Sequence, residues 1–183
     1  MSEGRGARVL RKEDKRFITG KGRYTDDIIE QNQSYAAFVR SPHAHALIKS
    51  IDTSAAIALG GVETVLTGPE LVADGIGNII CGWGVTQKDG SGMNMGAWSA
   101  LATEKVRYVG DAIAIVVADT KSLARLAAEA VVVEYEDLPV VVGSVEALAA
   151  GAPQIHENAP GKIVFDWEIG DLAPTEAALA GAA

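Results

Sequence analysis

The sequence predicts one domain in which β-strands alternate with short helices, and three observations carry that reading. The chain has 183 residues, 48% of them hydrophobic, which is enough to bury a core. Five stretches carry strand-type patterning: Ser34–Arg40, Ala44–Ile51, Val62–Leu66, the segment Val106–Ala118, and Val131–Tyr135. The segments between them carry helix start and stop residues instead of long amphipathic repeats.

SYAAFVR, 34–40, reads as a first strand and Pro42 interrupts it. Ala44–Ile51 follows as a second strand, with Leu47 and Ile51 on one face. Asp52 or Thr53 can cap a short helix that Gly60-Gly61 ends, and VETVL is the next strand. In TGPEL, Thr67 and Glu70 stand at capping-box spacing and Pro69 in the first turn, so another short helix starts there. VRYVGDAIAIVVA is a strand, a Gly110-Asp111 bend and a nearly continuous apolar strand of the kind buried on both faces. Asp119-Thr120 caps a helix to about Ala130, with Leu123, Leu126, Ala127 and Ala130 as its apolar stripe. Val131–Tyr135 returns as a strand ended by Leu138-Pro139, and Ser144–Leu148 is a helical turn. Residues 151–183 are richer in Gly, Ala and Pro, and TEAALAGAA begins a helical pattern that stops as if an element were cut off.

Residues 75–100 differ in composition, with seven glycines and no sustained periodicity. They read as a long excursion holding one short hairpin, and an excursion of that length is usually functional or partner-facing. Trp83 and Trp98 lie in it, either as interface groups or as pins to the core.

Net charge is −8, unevenly spread. Residues 1–23 hold eight basic and three acidic groups, a net of +5, which leaves −13 on the remainder. An acidic body argues against a nucleic-acid groove. No apolar run reaches the ~18 residues of a membrane span, and MSEGRGARVLRKEDKR has no apolar signal-peptide core. Cys81 is the only cysteine, so no internal disulfide forms and a cytoplasmic, reducing location is expected.

The catalytic motifs are few. GxxxxGK[ST] and G-x-S-x-G do not occur, and Gly20-Lys21-Gly22 lacks the third glycine and preceding strand of a dinucleotide loop. His43 and His45, two apart, would share a face of a strand, but only distant His156 could join them, so a metal site is not expected. Glu134, Glu136 and Asp137 at a strand end could form a carboxylate dyad or a solvated edge. No complete catalytic constellation is present, and neither Lys105 nor Lys88 has the hairpin-tip setting of a carrier-domain lysine.

Four segments in order carry a resemblance: RFITGKGRYTDDI (16–28), SPHAHALIKSIDTS (41–54), ALATEKVRYVGDAIAIVVADT (100–120) and AAEAVVVEYEDLPVVV (127–142). Together they resemble the N-terminal domain of the large subunit of the molybdenum hydroxylases, the family of xanthine dehydrogenase, aldehyde oxidase and aerobic carbon monoxide dehydrogenase, over about residues 8–172. The resemblance implies an α+β fold, the α/β-hammerhead domain, with a mixed sheet and flanking short helices. It implies a basic N-terminal arm at 1–23, the hammerhead domain at 24–165, and at 166–183 the start of a linker into a molybdopterin-binding domain.

It further implies a structural and assembly role, with no catalytic, cofactor-binding or metal-binding residue in this stretch. Molybdopterin with its molybdenum would be held by the C-terminal region of the same subunit, with FAD and iron–sulfur clusters in partner subunits. Interface residues expected on this basis are Arg8, Arg11, Lys12, Arg16, Phe17, Tyr24, His43 and His45. Where the family often has proline after the Gly-Asp pair, Ala112 stands here, which removes a fixed φ and adds an N–H, so a looser bend is expected. The competing reading is a stand-alone binding module on the hammerhead fold.

Overall fold

The computed structural model describes residues 11–96 and 98–182. The chain divides into two compact units, Met1–Gln33 and Ser34–Ala183.

In the first unit a five-residue helix, α1 (Asp14–Ile18), is followed by a 3-10 turn at Thr25–Asp27. Its charges pair locally: Arg11 Nε lies 2.7 Å from Asp14, and Arg16 pairs with Glu13. The Phe17 ring stacks on Tyr24 at 5.6 Å, with the Arg16 guanidinium 5.2 Å from the Phe17 ring. The Asp27 carboxylate accepts the Tyr24 N–H at 2.9 Å, closing the turn. Ile18 is exposed, and Arg8, Val9 and Leu10 lie outside the described residues.

Among its described residues the second unit holds six strands: β1 (Tyr35–Arg40), β2 (Ala46–Asp52), β3 (Val62–Thr67), β4 (Lys105–Val106), β5 (Ala112–Ala118) and β6 (Val132–Asp137). They form two three-stranded sheets, β1-β5-β3 and β4-β2-β6. The expected mix of strands and short helices is present. The sheet is divided in two, however, and every pairing in it is antiparallel.

The helices of this unit are α2 (Ser54–Ile57), α3 (Gly68–Ala73), α4 (Lys121–Ala130), α5 (Ser144–Ala147) and α6 (Leu172–Ala180). The starts of α2, α3 and α4 follow the residues that the sequence marks, whereas α6 begins at Leu172, three residues before the expected Thr175. Asp52 Oδ1 accepts the Ser54 N–H at 2.9 Å, the Glu70 carboxylate accepts the Thr67 N–H at 2.7 Å, and Thr120 Oγ1 accepts the Leu123 N–H at 3.1 Å.

β5 is the centre of the first sheet. Its alternate residues feed two cores. Ala114 and Val116 face one way and pack with Ala56, Val65, Ala127 and Val131. Ile113 faces the other way and packs with Ala46, Ala102 and Val106. Ile51 and Val133 of the second sheet touch both groups, so the two sheets share one continuous apolar interior. α4 lies on β1 and β5. Its buried residues are Ala124 and Ala127, whereas Leu126 is exposed, which corrects the expected stripe. Small side chains let the helix axis approach the sheet closely, and Leu126 falls beside that contact instead of on it.

The Gly110-Asp111 bend is well held. Gly110 N–H donates to Ser41 O at 2.8 Å and Ser41 N–H to Asp111 O at 2.8 Å. Arg40 Nη1 caps the Gly110 carbonyl at 2.9 Å, and Asp111 Oδ2 accepts the Arg107 N–H at 3.0 Å. Ala112 is already the first residue of β5, paired with Arg40, so the substitution for proline leaves the bend tied by its neighbours.

The long excursion has a closed stem. A Cβ on Gly68 would lie 2.2 Å from the Ala102 carbonyl oxygen, so only glycine permits the approach of α3 to the returning chain. Leu101 and Ala102 are buried, and Ala102 N–H donates to Ala112 O at 2.7 Å.

Val116→Asp is expected to abolish cooperative folding, because an unpaired carboxylate in that core costs about 3–5 kcal/mol. Leu126→Glu is expected to shift stability by no more than about 0.5 kcal/mol. Urea titration of both variants checks the assignment. A cooperatively folding Val116→Asp protein would show that β5 is peripheral.

Candidate functional site

The histidine stretch forms a turn ahead of β2, not part of that strand. Ser41 Oγ donates to His43 O and accepts the His43 N–H, both at 2.9 Å, which sets the turn after Pro42. His43 and His45 then clasp the chain that leaves β6. His43 Nδ1 lies 2.7 Å from Asp137 Oδ1, with its ring against Tyr135 at 4.4 Å. His45 Nδ1–H donates to Pro139 O at 2.8 Å, while the His45 carbonyl accepts the Leu138 N–H at 3.0 Å. His45 is buried. The carbonyl partner fixes its tautomer with the proton on Nδ1.

Folding does bring His156 within the field of His45. Its imidazole is held below the ordinary range first by partial burial, then by the Arg107 guanidinium and by His45, against Glu157 and Asp111. Among the described residues, no group of three His, Cys, Asp or Glu side chains is placed to hold a metal ion. Both histidine Nδ1 atoms are engaged, by Asp137 and by the Pro139 carbonyl.

The acidic strand end is a set of separate pairs. Ser50 Oγ donates to Glu134 at 2.9 Å, Lys49 Nζ to Glu136 at 2.9 Å, and Asp137 takes His43. Glu136 raises the Lys49 ammonium above its usual value through that hydrogen bond. The carboxylates therefore stitch β6 to β2 and form no dyad.

Sequence reasoning missed Glu157. It joins Lys105 and Arg107 of the β4 region, the latter at 3.3 Å, and so ties the segment after α5 to the second sheet. Nothing local marks it, since its partners lie 52 and 50 residues away. Sequence reasoning also missed a cleft of about 500 Å³ between the excursion and residues 156–164. Ile79, Cys81, Met93, Trp98, His156 and Val164 are among its walls.

Of the expected interface residues, Arg11, Arg16, Phe17 and Tyr24 belong to the first unit with the local pairings described above, and Lys12 is exposed. His43 and His45 lie in the second unit.

The fold is a two-sheet α+β domain with short helices, and sequence comparison gives its family. The profile described as "Aldehyde oxidase and xanthine dehydrogenase, a/b hammerhead domain" matches residues 19–139, and the chain belongs to that family. The carbon monoxide dehydrogenase large chain of Hydrogenophaga pseudoflava is 38% identical over 191 aligned residues, which cover 98% of this chain and 22% of that one. The nicotine 6-hydroxylase large subunit of Paenarthrobacter nicotinovorans is 38% identical over 80% of this chain and 17% of its own length. Among solved structures, the reconstituted CO dehydrogenase from Oligotropha carboxidovorans superposes with a TM-score of 0.72 at 37% identity, over 97% of this chain and 22% of that one. The chain thus spans about a fifth of the length of the large chains it matches. No helix among the described residues is long and apolar enough to cross a membrane.

Lys105 and Arg107 hold the Glu157 carboxyl down to about 2, the Lys105 hydrogen bond being the largest cause. A depressed carboxyl stabilises the fold above the unfolded value of 4.5, and that contribution is lost as pH falls through the folded value. Glu157→Gln is therefore expected to flatten the acid limb of stability between those values. At neutral pH it should cost at most about 1 kcal/mol, because the carboxylate is solvent-screened. Urea midpoints measured across that range test this, and an unchanged acid limb would remove Glu157 from the account.

Proposed function

We propose that this chain is the N-terminal structural and assembly domain of a molybdenum hydroxylase large subunit of the carbon monoxide dehydrogenase type, inactive by itself. In this reading, residues 1–23 are a docking arm, 24–165 the hammerhead domain, and 166–183 the start of the connection to a molybdopterin-binding region. The observation that carries it is the 38% identity running through 98% of the chain against a large chain of which it covers only 22%. The xanthine dehydrogenase molybdenum-binding subunit of Escherichia coli matches at 37% over 77% of this chain, which supports the wider assignment to molybdenum enzymes.

The whole subunit would oxidise carbon monoxide, or hydroxylate an aldehyde or aromatic heterocycle, in the cytoplasm, and pass electrons to iron–sulfur and FAD subunits. The molybdopterin would supply the redox centre from the remaining part of the subunit.

Metal and pterin analysis of the longest native gene product, beside the 183-residue chain, tests the reading. The long product is expected to carry molybdenum and pterin and to turn over. The short chain should hold under about 0.1 metal per chain after dialysis and show no turnover. Turnover by the short chain, or a long product free of molybdenum, would overturn it and favour a stand-alone binding module.

Deletion of residues 1–15 from the full-length subunit is expected to reduce assembly or cofactor retention severalfold, with little change in the stability of the 183-residue chain. Unimpaired assembly would make the arm, with Arg8, Arg11 and Lys12, a solvated tail.

A further inference from the structure

The long excursion and the segment after the second 3-10 turn, Pro160–Lys162, form a layer that carries exposed aromatic surface among the second unit's described residues. All three tryptophans of the chain lie there, with Trp83 79%, Trp98 54% and Trp167 46% exposed. Ile80 is 88% exposed beside them. Single exposed hydrophobics are ordinary, but three tryptophans on one built surface are the composition of an interface centre.

The layer is held in place by its own hydrogen bonds. Ile79 N–H donates to Trp98 O at 2.7 Å, Asn94 N–H to Val164 O at 2.7 Å, and Lys88 N–H to Asp166 O at 2.9 Å. Lys88 Nζ adds ion pairs to Asp166 at 3.1 Å and Glu168 at 3.5 Å. A small hairpin, bridged between Thr86 and Gly92, completes it. Trp98 is pinned by stacking on Tyr108 at 6.3 Å, whereas Trp83 stands out from the surface. The apolar cleft lies in this layer, and Cys81 lines it.

We propose that this layer, residues 79–96 and Trp98 with 163–169, is the face on which the rest of the large subunit docks, with the cleft receiving an apolar side-chain group from it. The occupant follows from where the matches run. The hammerhead profile stops at residue 139, before the second half of the layer begins. The match to the carbon monoxide dehydrogenase large chain extends over 98% of this chain and so takes in 163–169, while most of that large chain lies outside the matched stretch. Lys88 is paired with Asp166 and Glu168, and the Asp89 carboxylate accepts from Ser91, so the open part is apolar and suits a protein face. A surface built in advance loses little order on docking.

The proposal rests on the functional reading above, and the test separates the two. Cys81 is the only cysteine and is exposed in the cleft, so its alkylation by iodoacetamide, followed by peptide mass spectrometry, reports coverage directly. The rate is measured on the 183-residue chain and on the molybdenum-loaded large subunit. It is expected to fall at least about tenfold in the subunit, because a docked face excludes water and reagent. Equal rates in a molybdenum-loaded, active subunit would overturn the docking face and leave the functional reading standing. Protection that appears in the short chain as it is concentrated, with sedimentation showing a dimer, would make a second copy the occupant and overturn the proposal.

The double variant Ile80→Ser with Trp83→Ser provides the second measurement. In the subunit it should return Cys81 labelling toward the rate of the short chain. In the short chain its urea midpoint should be unchanged, since both side chains are exposed. Slow labelling that persists in the variant subunit would overturn the proposal.

Discussion

Everything in the second unit depends on β5 supplying a buried side chain to the core on each of its faces and being paired on both edges. An antiparallel strand with β1 on one side and β3 on the other satisfies its backbone donors and acceptors within the sheet. Its side chains are then free to be apolar in both directions. Ile113 reaches the core of the second sheet while Ala114 and Val116 reach the core under α4. A strand that faced solvent on one side would leave one of those cores without its centre.

The second constraint is the way chain segments far apart in sequence are tied at the margins of that core. Ser41 holds the Gly110-Asp111 bend, His43 and His45 hold residues 137–139, and Glu157 holds Lys105 and Arg107. Each tie joins a turn to a segment about fifty or more residues away. Together they fix where the chain emerges from the sheets. The buried His45 thus serves as an oriented hydrogen-bond donor to the Pro139 carbonyl, while His43 meets the Asp137 carboxylate.

Local chemistry was legible in the sequence and distant pairing was not. The apolar run Ala112–Ala118, the Thr67/Glu70 capping box and the Thr120 cap each act within a few residues, and the structure places all three where the pattern puts them. The division into two sheets is set by which strands meet, and no residue pattern in one strand names its partner. Leu126 shows the same limit at smaller scale: helical spacing groups it with Leu123 and Ala127, but the sheet contacts the alanines. The two histidines were legible as a pair; their carbonyl and carboxylate partners were not, because Asp137 and Pro139 are 94 residues away from them. The four ordered segments of resemblance identified the family where spacing alone gave only strands and short helices.

The contact between Gly68 and the Ala102 carbonyl separates the excursion from the sheets energetically. The two ends of the loop are joined at that point, so the length of chain beyond it adds only a slowly growing closure entropy, about 0.6 kcal/mol for each doubling. Residues 75–100 can then be lengthened, shortened or rewritten without disturbing β3 or β5. A joint of this kind decouples the rim from the core, and the residue it cannot lose is the glycine at which the two sides of the stem meet.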